Sequence, residues 1–203
     1  MPYLSLEVGD LATNCYLFFA ENSRHGFVID PGAEAERILA RIAEAKLLPQ
    51  AVVLTHAHPD HLGAAAAVVN RFGVPLWVHP ADEMLMRSPA GRGLAAMFGV
   101  KAPAADRLLV DGNVLALDGL ELEVIHSPGH SPGSILLYGD GLLFTGDTLF
   151  KNDVGRTDLP GGDEQELQRS LARIREFPAA TIILPGHGES SVLEIELKDN
   201  PYL

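Results

Sequence analysis

Cysteine is almost absent: Cys15 stands alone among 203 residues, so no internal disulfide can form, which fits a reducing compartment. Its setting, Asn14-Cys15-Tyr16-Leu17-Phe18-Phe19, is that of a strand interior, where a thiol acts as a small buried hydrophobe. Positive charge is also short. Fifteen Lys and Arg face 27 Asp and Glu, for a formal charge of −12. That balance argues against a phosphate backbone or an anionic membrane surface as the main partner. No apolar run approaches the roughly 20 residues needed to span a bilayer. Residues 1–7 show no basic segment followed by an apolar stretch, so a cytoplasmic enzyme is the expectation. No internal repeat is visible. With 47% hydrophobic residues, the chain has enough apolar material for a single large domain over residues 1–203.

Strands and helices alternate in two series. The first reads as strands over 11–20 and 26–29, an amphipathic helix over 34–48 closed by Pro49, a buried strand over 51–54, a helix over 62–72 and a strand over 75–78. Residues 81–106 break the rhythm with Met, Gly and Pro and read as an irregular, partly helical excursion, a candidate flap. The second series places strands at 107–110, 114–117, 120–126, 134–138 and 142–146. A helix over 164–176 capped by Asp163, a last strand at 181–184 and a short tail over 189–203 complete it. Two sheets packed face to face with helices outside would bury both series of apolar strands.

What is abundant is histidine in one place. His56, His58, Asp60 and His61 fall within six positions directly after the apolar run Ala51 to Leu54, a crowding that packing does not explain and a cation does. His130, Asp147 and His187 each follow a strand of the second series. Rigid strands ending in loops are how folds aim side chains at one point. Seven such donors exceed the four-coordinate habit of one zinc. They divide into His56, His58 and His130 around one ion and Asp60, His61 and His187 around another, with Asp147 bridging. Imidazole and carboxylate without thiolate favour two divalent ions, zinc before iron or manganese, at a catalytic site. Water on such ions deprotonates near neutral pH, which points to hydrolysis. His25, His79 and His126 read as structural, and Asp30 as an outer anchor of the His loop.

Thr55-His56-Ala57-His58-Pro59-Asp60-His61, Ser127-Pro128-Gly129-His130-Ser131-Pro132-Gly133, Thr145-Gly146-Asp147 and Pro185-Gly186-His187-Gly188 together resemble the metallo-β-lactamase superfamily. Gly146-Asp147-Thr148-Leu149-Phe150 with Gly155-Arg156-Thr157-Asp158 is most similar to the small relatives of hydroxyacylglutathione hydrolase, or glyoxalase II. The resemblance implies an α+β fold, a four-layer αββα sandwich of two mixed sheets with helices outside and metals in a groove along one edge. It also implies hydrolysis of a small-molecule thioester by a bridging hydroxide that Asp60 orients. Longer glyoxalase II enzymes add a helical domain and use a Lys and a Tyr for the thiol's peptide part; Arg156 and Asp158 stand here instead. Arg156 is therefore a candidate to grip a substrate carboxylate, or else it fixes its loop through Asp158 or Asp153. Two other chemistries fit similar donors. One is a glutathione persulfide dioxygenase with one iron on His56, His130 and Asp147; the other is a two-metal phosphodiesterase or nuclease, which the acidic balance disfavours. The oligomeric state is open between monomer and homodimer.

Overall fold

A strand buried on both faces needs apolar side chains at odd and even positions alike, and β2 (Thr13–Phe19) is buried at all seven. The computed structural model describes residues 3–203. Cys15, Leu17 and Phe19 of β2 face one apolar cluster, while Tyr16 and Phe18 face another. The strand thus lies in an inner layer, with packing on both sides.

Two six-stranded mixed sheets form the centre. The first runs β1 (Tyr3–Val8), β2, β3 (His25–Ile29), β4 (Leu48–Val53), β5 (Leu76–Val78) and β6 (Arg107–Leu108) in spatial order. It is antiparallel up to β3 and parallel from β3 to β6. The second contains β7 (Val114–Leu117), β8 (Leu120–His126), β9 (Ile135–Gly139), β10 (Leu142–Gly146), β13 (Ile182–Pro185) and β14 (Ser191–Val192), in the order β14-β13-β10-β9-β8-β7. A small hairpin, β11 (Leu149–Phe150) with β12 (Asp153–Val154), lies apart. Between the sheets, Phe144 meets Tyr16 and Phe18 edge-to-face at 5.2 and 5.6 Å between ring centroids.

Helices cover both outer faces. Ile38 and Ile42 of α1 (Ala35–Glu44) and Ala65 and Val68 of α3 (Ala65–Phe72) pack on the first sheet. Leu167, Leu171 and Ile174 of α6 (Glu164–Ile174), with Leu193 of α7 (Leu193–Asp199), pack on the second. The result is the expected αββα sandwich. Among the described residues no helix is long and apolar enough to cross a membrane.

Several local expectations give way. The helix expected to end at Pro49 stops at Glu44, because Lys46 turns at φ +53° and releases the chain. Pro49 instead sits within β4, beside a register shift at Gly26 and Phe27 that accommodates its missing N–H. The 62–72 helix is split into α2 (Pro59–Leu62) and α3. The 81–106 excursion is partly helical, as expected, but its helical part is regular: α4 (Pro80–Arg87) and α5 (Pro89–Met97). Each has proline at its first turn and an accepting side chain at its cap, His79 and Ser88. The tail carries β14 and α7, and β1 escapes sequence reading because only Leu4, Leu6 and Val8, toward the helices, are all apolar, while Ser5 and Glu7 break the other face.

Candidate metal centre

Strands β8 and β10 both pair antiparallel with β9, and β13 pairs parallel with β10, so all three end at the same edge of the second sheet. His130, Asp147 and His187 follow those three ends. The first sheet brings the His loop to the same edge after β4, and the sheets are tied there by Ile135 N–H on the Thr55 carbonyl and Asn14 N–H on the Gly186 carbonyl. His58 stands at the N-cap position of α2, the short helix that carries Asp60 and buries His61.

All seven residues come together. His56, His58 and His130 form one group of buried donors; Asp60, His61 and His187 form a second, and in each the ligand atoms lie within 4.8 Å of one another. Asp147 stands between them, with Oδ1 at 3.3 Å from His61 Nε2 and Oδ2 at 3.5 Å from both His130 Nε2 and His187 Nε2. Glycine makes the approach possible. A Cβ on Gly186 would lie 2.2 Å from Asp147 Oδ1 and 2.7 Å from His61 Cε1.

The far side of each ring fixes its tautomer. His130 Nδ1 donates to the Arg156 carbonyl at 2.8 Å, His187 Nδ1 to the Leu11 carbonyl at 2.9 Å and His61 Nδ1 to Asp30 at 3.0 Å. Each therefore turns its Nε2 toward the centre, where it offers a lone pair once any proton there gives way to a metal. His58 Nδ1 approaches His130 Nε2 at 2.8 Å, and His56 Nε2 and Asp147 Oδ1 are buried without a hydrogen-bond partner. Converging lone pairs and an orphaned carboxylate oxygen suit a bound cation. Asp30, as expected, anchors the loop: it accepts from Thr55 N–H at 2.7 Å and Thr55 Oγ1 at 2.6 Å. Asp30 also reaches a group with His56 and His61. Its oxygens are already engaged by Thr55 and His61, which makes it an orienting group.

Charge differs across the centre. Burial, reinforced by neighbouring histidines, pushes His56 well below its ordinary pKa and His58 to about 4. Both stay neutral and able to donate a lone pair. For His61 and His187 burial also favours the neutral ring, but carboxylates outweigh it: Asp147 and Asp30 hold His61 well above its ordinary value, and Asp147 and Asp60 raise His187 to about 9. Protons there meet the same negative demand that a metal would.

Sequence reasoning missed one residue behind the centre. Asp82, on α4 in the supposed excursion, is fully buried and accepts from Ala57 N–H at 2.7 Å, Ser131 Oγ at 2.8 Å and Gly133 N–H at 2.6 Å. Burial raises its pKa and these donors counter the rise. It ties the loop of His56 and His58 to the loop of His130. Arg156 lies at the mouth, 63% exposed at its side chain, and its guanidinium makes two 2.6 Å bonds to Asp158. Of the other histidines, His25 pairs with Asp118 and His79 stacks on His126 at 4.1 Å. Cys15 is buried, which pushes its thiol far above the usual range.

The family model of the metallo-β-lactamase superfamily matches residues 8–187. The chain belongs to that superfamily. Hydroxyacylglutathione hydrolase GloC of Haemophilus influenzae is 38% identical over 200 residues, covering 94% of this chain and 92% of its own. The crystal structure of BLEG-1 B3 metallo-beta-lactamase superposes with a TM-score of 0.91 at 35% identity, covering 99% of both chains. That of TTHA1623 in a di-iron-bound form gives 0.86 at 38% identity, covering 98% of this chain and all of the other. A metallo-β-lactamase fold with these donor groups carries a binuclear metal-binding site suited to the hydrolytic or redox chemistry of the superfamily.

Proposed function

We propose that the protein is a metal-dependent thioester hydrolase resembling hydroxyacylglutathione hydrolase, with residues 1–203 acting as one domain. The observation that carries this reading is Asp147, a buried carboxylate whose two oxygens reach into both donor groups. In it, His56, His58 and His130 would hold one ion, Asp60, His61 and His187 the other, and Asp147 would serve both, with zinc preferred to iron or manganese. The ions supply an acidified water and a Lewis acid for the carbonyl.

The chain's own groups set up the rest. Asp60, 16% exposed at its side chain, faces the groove and accepts from Thr13 Oγ1 at 3.4 Å, so it can orient the attacking water. Water adds to the carbonyl carbon, the C–S bond breaks, and a carboxylate and a thiol leave. Thiolate is a good leaving group, and no strong acid need be built beside it. In this reading Arg156 receives a carboxylate of the thiol carrier by exchanging Asp158 for substrate. The reading places the enzyme in the cytoplasm with a small-molecule substrate.

Metal analysis of the purified protein, coupled to a screen of acylthiols and one β-lactam, tests this. About two ions per chain and thioester turnover are expected. Turnover of the β-lactam alone would overturn it, as would a fully loaded protein that leaves every thioester intact. A relative in a di-iron-bound form makes iron a competitor of zinc here, and with iron the second reading is oxygen chemistry on a single ion at His56, His130 and Asp147. Oxygen uptake with glutathione persulfide by the iron-loaded protein is its signature.

A further inference from the structure

Two cavities meet beside Asp60. The larger, about 540 Å³, opens over the metal centre, and its wall away from the donors is apolar, with Leu94, Phe98, Phe150, Val154 and Leu159. The smaller, about 250 Å³, adjoins it and is bounded also by Val8, Gly9, Ala33 and Val100. Leu11, Pro59, Asp60 and Phe98 belong to the walls of both. Phe98 has the largest side chain of the four, which makes it the group best able to act as a partition between the cavities.

The partition is unusual in its packing. It follows α5, none of whose residues is buried, and precedes Gly99 at φ +65°. Phe98 itself is 48% exposed and Leu11, which also lines both cavities, 52%. Large apolar side chains left in the open around a site mark where a ligand completes the packing. Neither Lys nor Arg lines the smaller cavity, and its acidic members, Asp10 and Asp60, would repel a carboxylate. The cation of the larger cavity, Arg156, is not among the residues of the smaller one. The two compartments therefore select opposite chemistry: an anionic group toward Arg156, an uncharged apolar group past Phe98.

We propose that the smaller cavity is an acyl-chain pocket, that the substrate is a thioester of an apolar straight-chain acid, and that Phe98 sets the chain length admitted. This rests on the thioester-hydrolase reading and adds the acyl class to it. Each methylene moved from water into such a pocket raises kcat/KM about fourfold until the pocket is full. Ala33 lines the smaller cavity but not the larger one, so a bigger side chain there would take up space in the acyl pocket alone.

The test uses N-acetylcysteamine thioesters of two, four, six and eight carbons, together with the lactoyl thioester, on the zinc-loaded full chain. In parallel, calorimetry follows binding of the matching S-alkyl thioethers, which cannot be hydrolysed, to metal-free protein. Rising kcat/KM and affinity with chain length are expected in the wild type. Ala33→Leu should move the optimum to shorter chains and Phe98→Ala to longer ones. A flat series in the wild type, or an Ala33→Leu protein with an unshifted optimum in both assays, would overturn the acyl pocket. Absence of hydrolysis throughout sinks the hydrolase reading instead, and the thioether series then still decides whether the cavity prefers apolar chains.

Discussion

The two donor groups share Asp147 as a wall yet are held in different ways. The first, His56, His58 and His130, is buried and made of imidazoles that stay neutral, and Asp82 braces it from behind. The second, Asp60, His61 and His187, is closer to solvent, contains a carboxylate, and holds protons tightly when no ion competes. The contrast separates two ways of building a cation site: rigid neutral donors set in place before binding, and charged donors whose mutual attraction does part of the positioning.

The sharpest way to break the contrast is to remove one donor from each side. His58→Ala is expected to abolish the first ion and reduce hydrolysis by more than the roughly 10–100-fold that loss of an outer partner costs. Asp60→Ala should spare the first ion and lose the second. Elemental analysis of both variants decides this; equal loss of both ions from each would mean that the two groups are one cooperative unit. Next in size, Asp82→Asn places an amide N–H against donors that now face a carboxylate. It should weaken the first ion about 10–100-fold and leave the second unchanged, read by cobalt titration and its visible spectrum.

A pH experiment probes the same brace. His79 caps the helix that carries Asp82, and burial, with His126 stacked on it, lowers its pKa to about 4 against Asp111 nearby. An unfolded histidine titrates near 6.5, so between those values the unfolded chain binds the extra proton. Stability from this group is complete above about pH 6.5 and lost as pH falls toward 4. His79→Asn keeps a capping side chain and should flatten that slope in denaturant unfolding of the metal-free protein. An unchanged slope would assign the acid sensitivity elsewhere. The smallest effect concerns the open side: Arg156→Ala should raise KM about two- to fivefold for thiol carriers that have a carboxylate, and leave KM for neutral carriers unchanged.

The sequence showed the donors better than their supports. His56 to His61 stood out because imidazole and carboxylate crowd one turn after a buried strand, and Asp30 because it ends a strand of its own. Asp82 carried no such mark. In sequence it is an acid in the first turn of a helix, where solvated carboxylates are common, and only the packing of α4 against the two loops buries it. The sandwich was legible through apolar runs such as 51–54 and 142–146, whereas α5 was not, since a helix with no buried residue leaves no apolar stripe to count. The 48–50 segment misled because proline signals helix ends strongly and sheet bulges weakly.

Each donor group draws on both sheets, and this bears on the chain as a polymer. An ion joining His58 to His130 would close a loop across a separation of 72 residues, and one joining His61 to His187 a separation of 126. Closing the longer loop costs a free chain only about half a kcal/mol more than the shorter, so the two ions would act as cross-links of nearly equal worth. In a protein without disulfides, the supply of metal would then set how firmly the two halves of the sandwich are fastened together.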